Sequence, residues 1–197
     1  MSKIMLCRFD NLFARALAAL TVLVACLLPA IACAKGDFSV RSALAYERDG
    51  VYYIDANIYY ELNEAALEAL QSGVALTFEV QIEVRRVRRW RPDSSVANLL
   101  QLYELQYHAL SERYIVRNLN SGEQDNFLTL SAALQSLGDI DGLPLLDAAL
   151  LRDRPSYEVR IKAVLDIRSF PGPLRLLSAF FGDWRLASKW YKWRLPP

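Results

Sequence analysis

The sequence predicts a mainly β protein: a two-sheet antiparallel β-sandwich of immunoglobulin-like size with two short inserted helices. Three observations predict it. Long stretches alternate apolar with polar residues, the period of a strand with one face in the core and one in water. Asp-Gly, Ser-Gly and Pro-rich breaks join these stretches by short turns. Seven or eight such strands, each with one polar face, suit two sheets packed face to face better than a helix-covered parallel sheet.

The chain opens with the order of a secretion signal. Lys3, Arg8 and Arg15 precede a nearly unbroken apolar run from Ala16 to Ala34, which closes in Ala32-Cys33-Ala34 before Lys35. Cations, an apolar core and a small-residue end are what the export machinery and signal peptidase read. We place cleavage after Ala34, so residues 1–34 are read as signal peptide and 35–197 as a single domain. The run is close to the ~20 residues of a spanning helix, which makes a retained anchor the alternative; Pro29 and the small-residue end speak for cleavage. Leu23-Val-Ala-Cys26 also resembles a lipoprotein box with Cys26 acylated, but the residues after Cys26 stay apolar instead of forming a polar tether.

Past the signal, Phe38, Val40, Leu44 and Tyr46 alternate with Ser39, Arg41, Ala43 and Ala45. Asp49-Gly50 then offers a turn that tolerates positive φ, and Tyr52, Ile54, Ala56, Ile58 and Tyr60 return as the second strand of a hairpin. Asn63 caps a short helix over 64–72, with Glu64 in the first turn and Gly73 at the stop. Leu76, Phe78, Val80, Ile82 and Val84 form the most regular inward series in the chain. Segments 99–109 and 113–119 flank a turn at Leu110-Ser-Glu112, and 124–128 forms a short strand after Ser121-Gly122. Thr129 caps a second helix that ends at Gly138. The stretch 138–155, rich in Asp, Gly and Pro, reads as an irregular loop. Tyr157, Val159, Ile161, Ala163, Leu165 and Ile167 alternate as another long strand. After Pro171-Gly-Pro173 come an apolar stretch, 174–181, and a final strand with a bulge near Trp190.

Loss of residues 1–34 removes Cys7, Cys26 and Cys33, all the cysteines of the chain. That excludes a disulfide framework, a cysteine nucleophile and a thiolate metal site together. It also removes Lys3, Arg8, Arg15 and Asp10, so totals of 23 basic and 22 acidic residues become 20 and 21. Near-neutrality gives no global pull toward nucleic acid, and none is expected as a partner. The 163 residues left of 197 suffice for one ordinary core.

Two constellations stand out. Arg85, Arg86, Arg88, Arg89 and Arg91 crowd around Val87 and Trp90, a candidate anion site, because guanidinium forks bind phosphate and carboxylate bidentately. The plainer interpretation is a charged strand end that resists edge pairing, with Glu79 and Glu83 as cross-face partners. The second is the C-terminal apolar and aromatic region: Leu174, Leu177, Phe180, Phe181, Trp184, Trp190 and Trp193, rimmed by Arg175, Arg185, Lys189 and Lys192. If exposed it is a docking surface for a protein partner or the outer face of a membrane; otherwise it closes one end of the core.

Other motifs carry less. His108 is the only histidine, and no Gly-x-Ser-x-Gly elbow accompanies it, so it reads as a solvent-facing strand residue. Asp139-Ile-Asp-Gly142 has the start of a calcium loop, yet Leu143-Pro-Leu-Leu146 supplies no further side-chain oxygen. No metal site and no cofactor are expected.

Five stretches stand out: Gly50-Val-Tyr-Tyr-Ile-Asp-Ala-Asn57, Gly73-Val-Ala-Leu-Thr-Phe-Glu-Val80, Arg113-Tyr-Ile-Val-Arg-Asn-Leu119, Ser121-Gly-Glu-Gln124 and Asp183-Trp-Arg-Leu-Ala-Ser-Lys-Trp-Tyr-Lys-Trp193. Together they resemble a family of proteobacterial exported proteins, domain of unknown function 4390. The resemblance covers nearly all of 37–195. It implies a location in the Gram-negative envelope and transfers no catalytic residue.

The expectation is therefore an exported, periplasmic, non-enzymatic interaction module with an envelope or membrane protein as partner and peripheral membrane contact as a further option. The alternatives are a carboxylate-dependent hydrolase of an envelope polymer, since glycoside chemistry needs only an Asp/Glu pair, and a binder of anionic headgroups through the arginine cluster.

Overall fold

Asp49 and Gly50 take φ of 53° and 79°, the backbone hand a tight hairpin demands, and join β1 (Phe38–Arg48) to β2 (Val51–Tyr60). The structure, a computed structural model, describes residues 36–88, 94–151, 156–166 and 186–195. After β2, the Asn63 side chain accepts the Ala66 N–H at 3.0 Å and starts α1 (Glu64–Gln71). The chain continues into β3 (Leu76–Arg86), β4 (Ser94–His108), β5 (Arg113–Asn118) and β6 (Gln124–Phe127). Thr129 Oγ1 accepts the Ala132 N–H at 3.2 Å and opens α2 (Leu130–Gly138), which runs directly into β7 (Asp139–Asp147). A single 3-10 turn, Ala148–Leu150, follows, and β8 (Tyr157–Asp166) and β9 (Tyr191–Arg194) complete the described elements.

The strands form two antiparallel sheets, one ordered β1-β2-β7 and the other β6-β5-β4-β3-β8-β9. Their inner faces share one core. Phe38 of β1 stacks on Phe78 of β3 with ring centroids 5.8 Å apart, and the Tyr60 ring meets both edge-on at 4.8 and 5.1 Å. Ile54 and Ile58 from the small sheet meet Val80, Ile82, Ile161 and Leu165 from the large one, with Leu70 of α1 and Leu137 of α2 filling the flanks. Each such fully buried side chain contributes roughly 1.5–3 kcal/mol by leaving water. The fold is thus the mainly β sandwich with two helices that the periodicity predicts.

Two local readings are corrected. The inward series of β1 does not run through Leu44 and Tyr46. A register shift between Val40 and Ser42 flips the phase, so Ala43 and Ala45 face inward opposite Ala56 and Ile54 while Leu44 stands exposed. One extra residue in a strand exchanges its faces. The stretch after Gly138 is likewise no irregular loop up to Asp147. It is strand β7, paired with β2 through two register shifts, and Pro144 is tolerated because β7 lies at the edge of its sheet.

Gly138 is required where it sits. A Cβ there would stand 2.0 Å from the Ile58 carbonyl oxygen, so only glycine lets α2 close down on β2.

Candidate functional site

In β8, Val159, Ile161 and Ala163 are buried, while the residues between them, Glu158, Arg160 and Lys162, point to the opposite, outer face. Directly paired residues share a face, so register places their neighbours. One row holds Ser95, Arg85, Glu158 and Arg194; the next holds Asn98, Glu83, Arg160 and Lys192; a third holds Leu100, Gln81 and Lys162. Trp190, just before β9, lies over this face. Its ring has the Arg160 guanidinium 4.3 Å and the Lys162 ammonium 5.8 Å from its centroid.

Arg160 is fixed from both sides. Its Nε and Nη2 donate to Glu83 Oε2 at 2.9 and 2.5 Å, and its flat face lies on the indole. The half-buried ion pair and the cation–π contact each contribute on the order of 1 kcal/mol. Together they hold one cation in a single orientation beside an aromatic plate. Around them, Arg85, Lys162, Lys192 and Arg194 outnumber Glu158 and Glu79, so this part of the outer face is positive although the chain as a whole is near neutral. Arg85 adds a buried Nε–H that finds no hydrogen-bond acceptor among the described residues.

The sequence candidates distribute as follows. Arg85 and Trp190, from the two separate constellations, are brought to the same outer face of the same sheet by β8 between them. Arg86 is half-buried opposite Tyr157 and Ser94 at the strand end, and Arg88 is exposed just beyond it. Trp193 belongs to the other side: it pairs with Val159, packs on the core, and buries an indole N–H that has no acceptor among the described residues. Arg89, Arg91, Leu174, Leu177, Phe180, Phe181 and Trp184 lie outside the described residues. Glu83 serves Arg160 and not the arginines of its own strand end, while Glu79 accepts from Gln81 at 3.0 Å.

Sequence reading missed Arg160, Lys162 and Arg194. The alternation marks all three as outward residues, but only strand register shows that they surround Trp190.

The outer face of the small sheet is polar and largely self-satisfied. Asp55 Oδ1 accepts the Gly142 N–H at 2.7 Å and the Tyr46 hydroxyl at 3.3 Å, and Asn57 donates to Asp139. Desolvation first, and then the Asp55 charge, push the Tyr46 hydroxyl above its ordinary pKa. Arg41 and Arg48 cover the Tyr59 and Tyr53 rings at 4.3 and 4.6 Å. Asp139 and Asp141, the start of the calcium-like motif, are strand residues. His108 Nδ1 lies 2.9 Å from Ser111 Oγ in the exposed β4–β5 turn. Among the described residues, no three His, Cys, Asp or Glu side chains gather as a metal site, and no helix is long and apolar enough to cross a membrane.

A family model described as Domain of unknown function (DUF4390) matches residues 35–194. No curated protein and no solved structure matches the chain.

Proposed function

This chain belongs to the family described as Domain of unknown function (DUF4390), and from that premise we propose that it is an exported, non-enzymatic interaction module of the Gram-negative periplasm that docks an acidic partner protein on the outer face of β3, β8 and β9. The observation that carries the reading is Trp190 lying among Arg160 and Lys162 on a face where Arg85, Lys192 and Arg194 add further positive charge. Tryptophan and arginine are among the side chains that most often dominate protein interfaces, and here Glu83 and Trp190 already hold Arg160 in one orientation. Flanking cations steer an acidic partner and reject a basic one. The export half of the proposal rests on the basic, apolar and small-residue order of residues 1–34, and the periplasmic Gram-negative setting on what the family resemblance implies.

The test compares recovery of acidic envelope proteins by the wild-type chain and by a Trp190→Ala, Lys162→Ala double variant with unchanged circular dichroism. We expect a loss of tenfold or more in the variant, equivalent to about 1.4 kcal/mol, and weakening of the wild type as salt shortens the reach of surface charge. Equal recovery by both proteins rejects the surface. Binding of phosphatidylglycerol vesicles in place of any protein reassigns it to anionic headgroups. Intact mass after expression decides the export half: loss of 1–34 supports it, a diacylglycerol on Cys26 makes the protein a lipoprotein, and an unprocessed chain in the cytoplasm rejects it.

A further inference from the structure

β4 is the longest strand, yet β5 accompanies only part of it: their pairing covers Tyr103 to His108. At the end of this pairing the Leu102 carbonyl accepts the Leu119 N–H at 2.8 Å and its N–H reaches Asn120 Oδ1 at 2.7 Å, so Leu102 turns its backbone groups away from β3. Alternation gives Leu100 and Asn98 the same direction. Asn120 Nδ2 donates to the Leu100 carbonyl at 3.0 Å. Its carboxamide thus stands in for one peptide unit of a missing neighbour. Beyond it, the Leu100 N–H and both backbone groups of Asn98 meet no partner among the described residues, and the Leu100 side chain is 44% exposed.

The other sheet edges carry the features that block pairing. β1 has a register shift and Arg41, Glu47 and Arg48; β7 has Pro144 and its aspartates; β6 and β9 are four residues long, with Asp125 in the first and Lys192 and Arg194 in the second. From Ser94 to Tyr103 β4 has no charge and no proline. An unprotected edge is a template for another strand.

We propose that this edge pairs antiparallel with the same edge of a second copy, joining two six-stranded sheets into one. The strand is suited to itself. A two-fold axis at Asn98 lets the two Asn98 residues exchange N–H and carbonyl, and places the backbone of Leu100 opposite Val96 of the other copy, at the bulge where Val96 turns its side chain to the core. No like charges meet, and the Asn98 amides, each both donor and acceptor, face each other. The register shift between Val84 and Arg85 bounds the free stretch at its Ser95 end, and Asn120 bounds it at the other.

The experiment measures molar mass by light scattering on the chain as an expression host processes it, between about 1 and 100 μM, where a micromolar dimer fills. We expect twice the chain mass at the upper end. Asn98→Cys should form a disulfide dimer under mild oxidation, since paired antiparallel residues bring Cα atoms within roughly 5.5 Å. Gln124→Cys on the β6 edge and the wild type serve as controls for stray thiols. Leu100→Lys, an exposed position, should raise the dissociation constant at least tenfold with circular dichroism unchanged. A monomer at the highest concentration, or a dimer that Asn98→Cys does not link beyond the controls, overturns the proposal. If Leu100→Lys does not fold, the cysteine result decides.

Discussion

Tyr60 buries its hydroxyl with no hydrogen-bond partner among the described residues, and its ring packs edge-on against Phe38 and Phe78. Burial first, and the Tyr103 charge second, push its pKa far above the ordinary tyrosine value of about 10. The sign of the pH effect follows. Above pH ~10 the unfolded chain releases this proton and the folded chain keeps it, so stability falls as pH rises, by up to about 1.4 kcal/mol per pH unit. Tyr60→Phe should leave stability at neutral pH unchanged or raise it by up to about 1 kcal/mol, and should flatten the alkaline slope. Urea titrations of both proteins at pH 7, 10 and 11 measure both effects; equal slopes would show that the hydroxyl ionises in place. Trp193 is a parallel case, with an indole N–H given up to let a large ring pack on Val159. Both residues show that aromatic area outweighs one unsatisfied donor at a well-packed site.

The two helices owe their positions to single side chains. Asn63, itself buried, satisfies the Ala66 N–H, and Thr129 satisfies the Ala132 N–H from an exposed position. Asn63→Ala should therefore cost more than Thr129→Ala, about 2 against about 0.5–1 kcal/mol, read from denaturant midpoints; the reverse order would mean that the caps do not set the helix starts. Such elements were legible in the sequence because their determinants are local: a cap, a stop glycine, an uninterrupted alternation in β3 and β8. What was not legible depends on residues far away. Arg41 gives no local sign that β1 changes face after it, since the register is dictated by β2. β7 carries Gly142 and Pro144 and looks like a loop until β2 supplies its partner. The candidate surface divides the same way. Trp190 and Arg85 were visible by type, whereas Arg160 and Lys162 became part of the site only through the β8 register, and Trp193 was indistinguishable from Trp190 until its face was known.

Across the whole molecule, β3 and β8 pair along their full overlap and bury an unbroken inner series from Val84 and Val159 to Phe78 and Leu165. Hydrogen exchange should therefore be slowest in β3 and in the part of β8 opposite it, and fastest in β6, whose residues are mostly exposed. Mass spectrometry of exchanged peptides would show this, and equal protection in β6 would contradict the picture of one core centred on the middle of the larger sheet. The small sheet has a different dependence, because β2 finds its second neighbour only in β7. Asn57 and Asp139, which bond across that junction, are 82 residues apart in sequence. At synthesis rates of about 5–20 residues per second, β7 leaves the ribosome roughly 4–16 s after β2. For that interval one whole side of the hairpin's backbone stays without its neighbouring strand, so a newly made chain spends seconds with its first sheet unfinished.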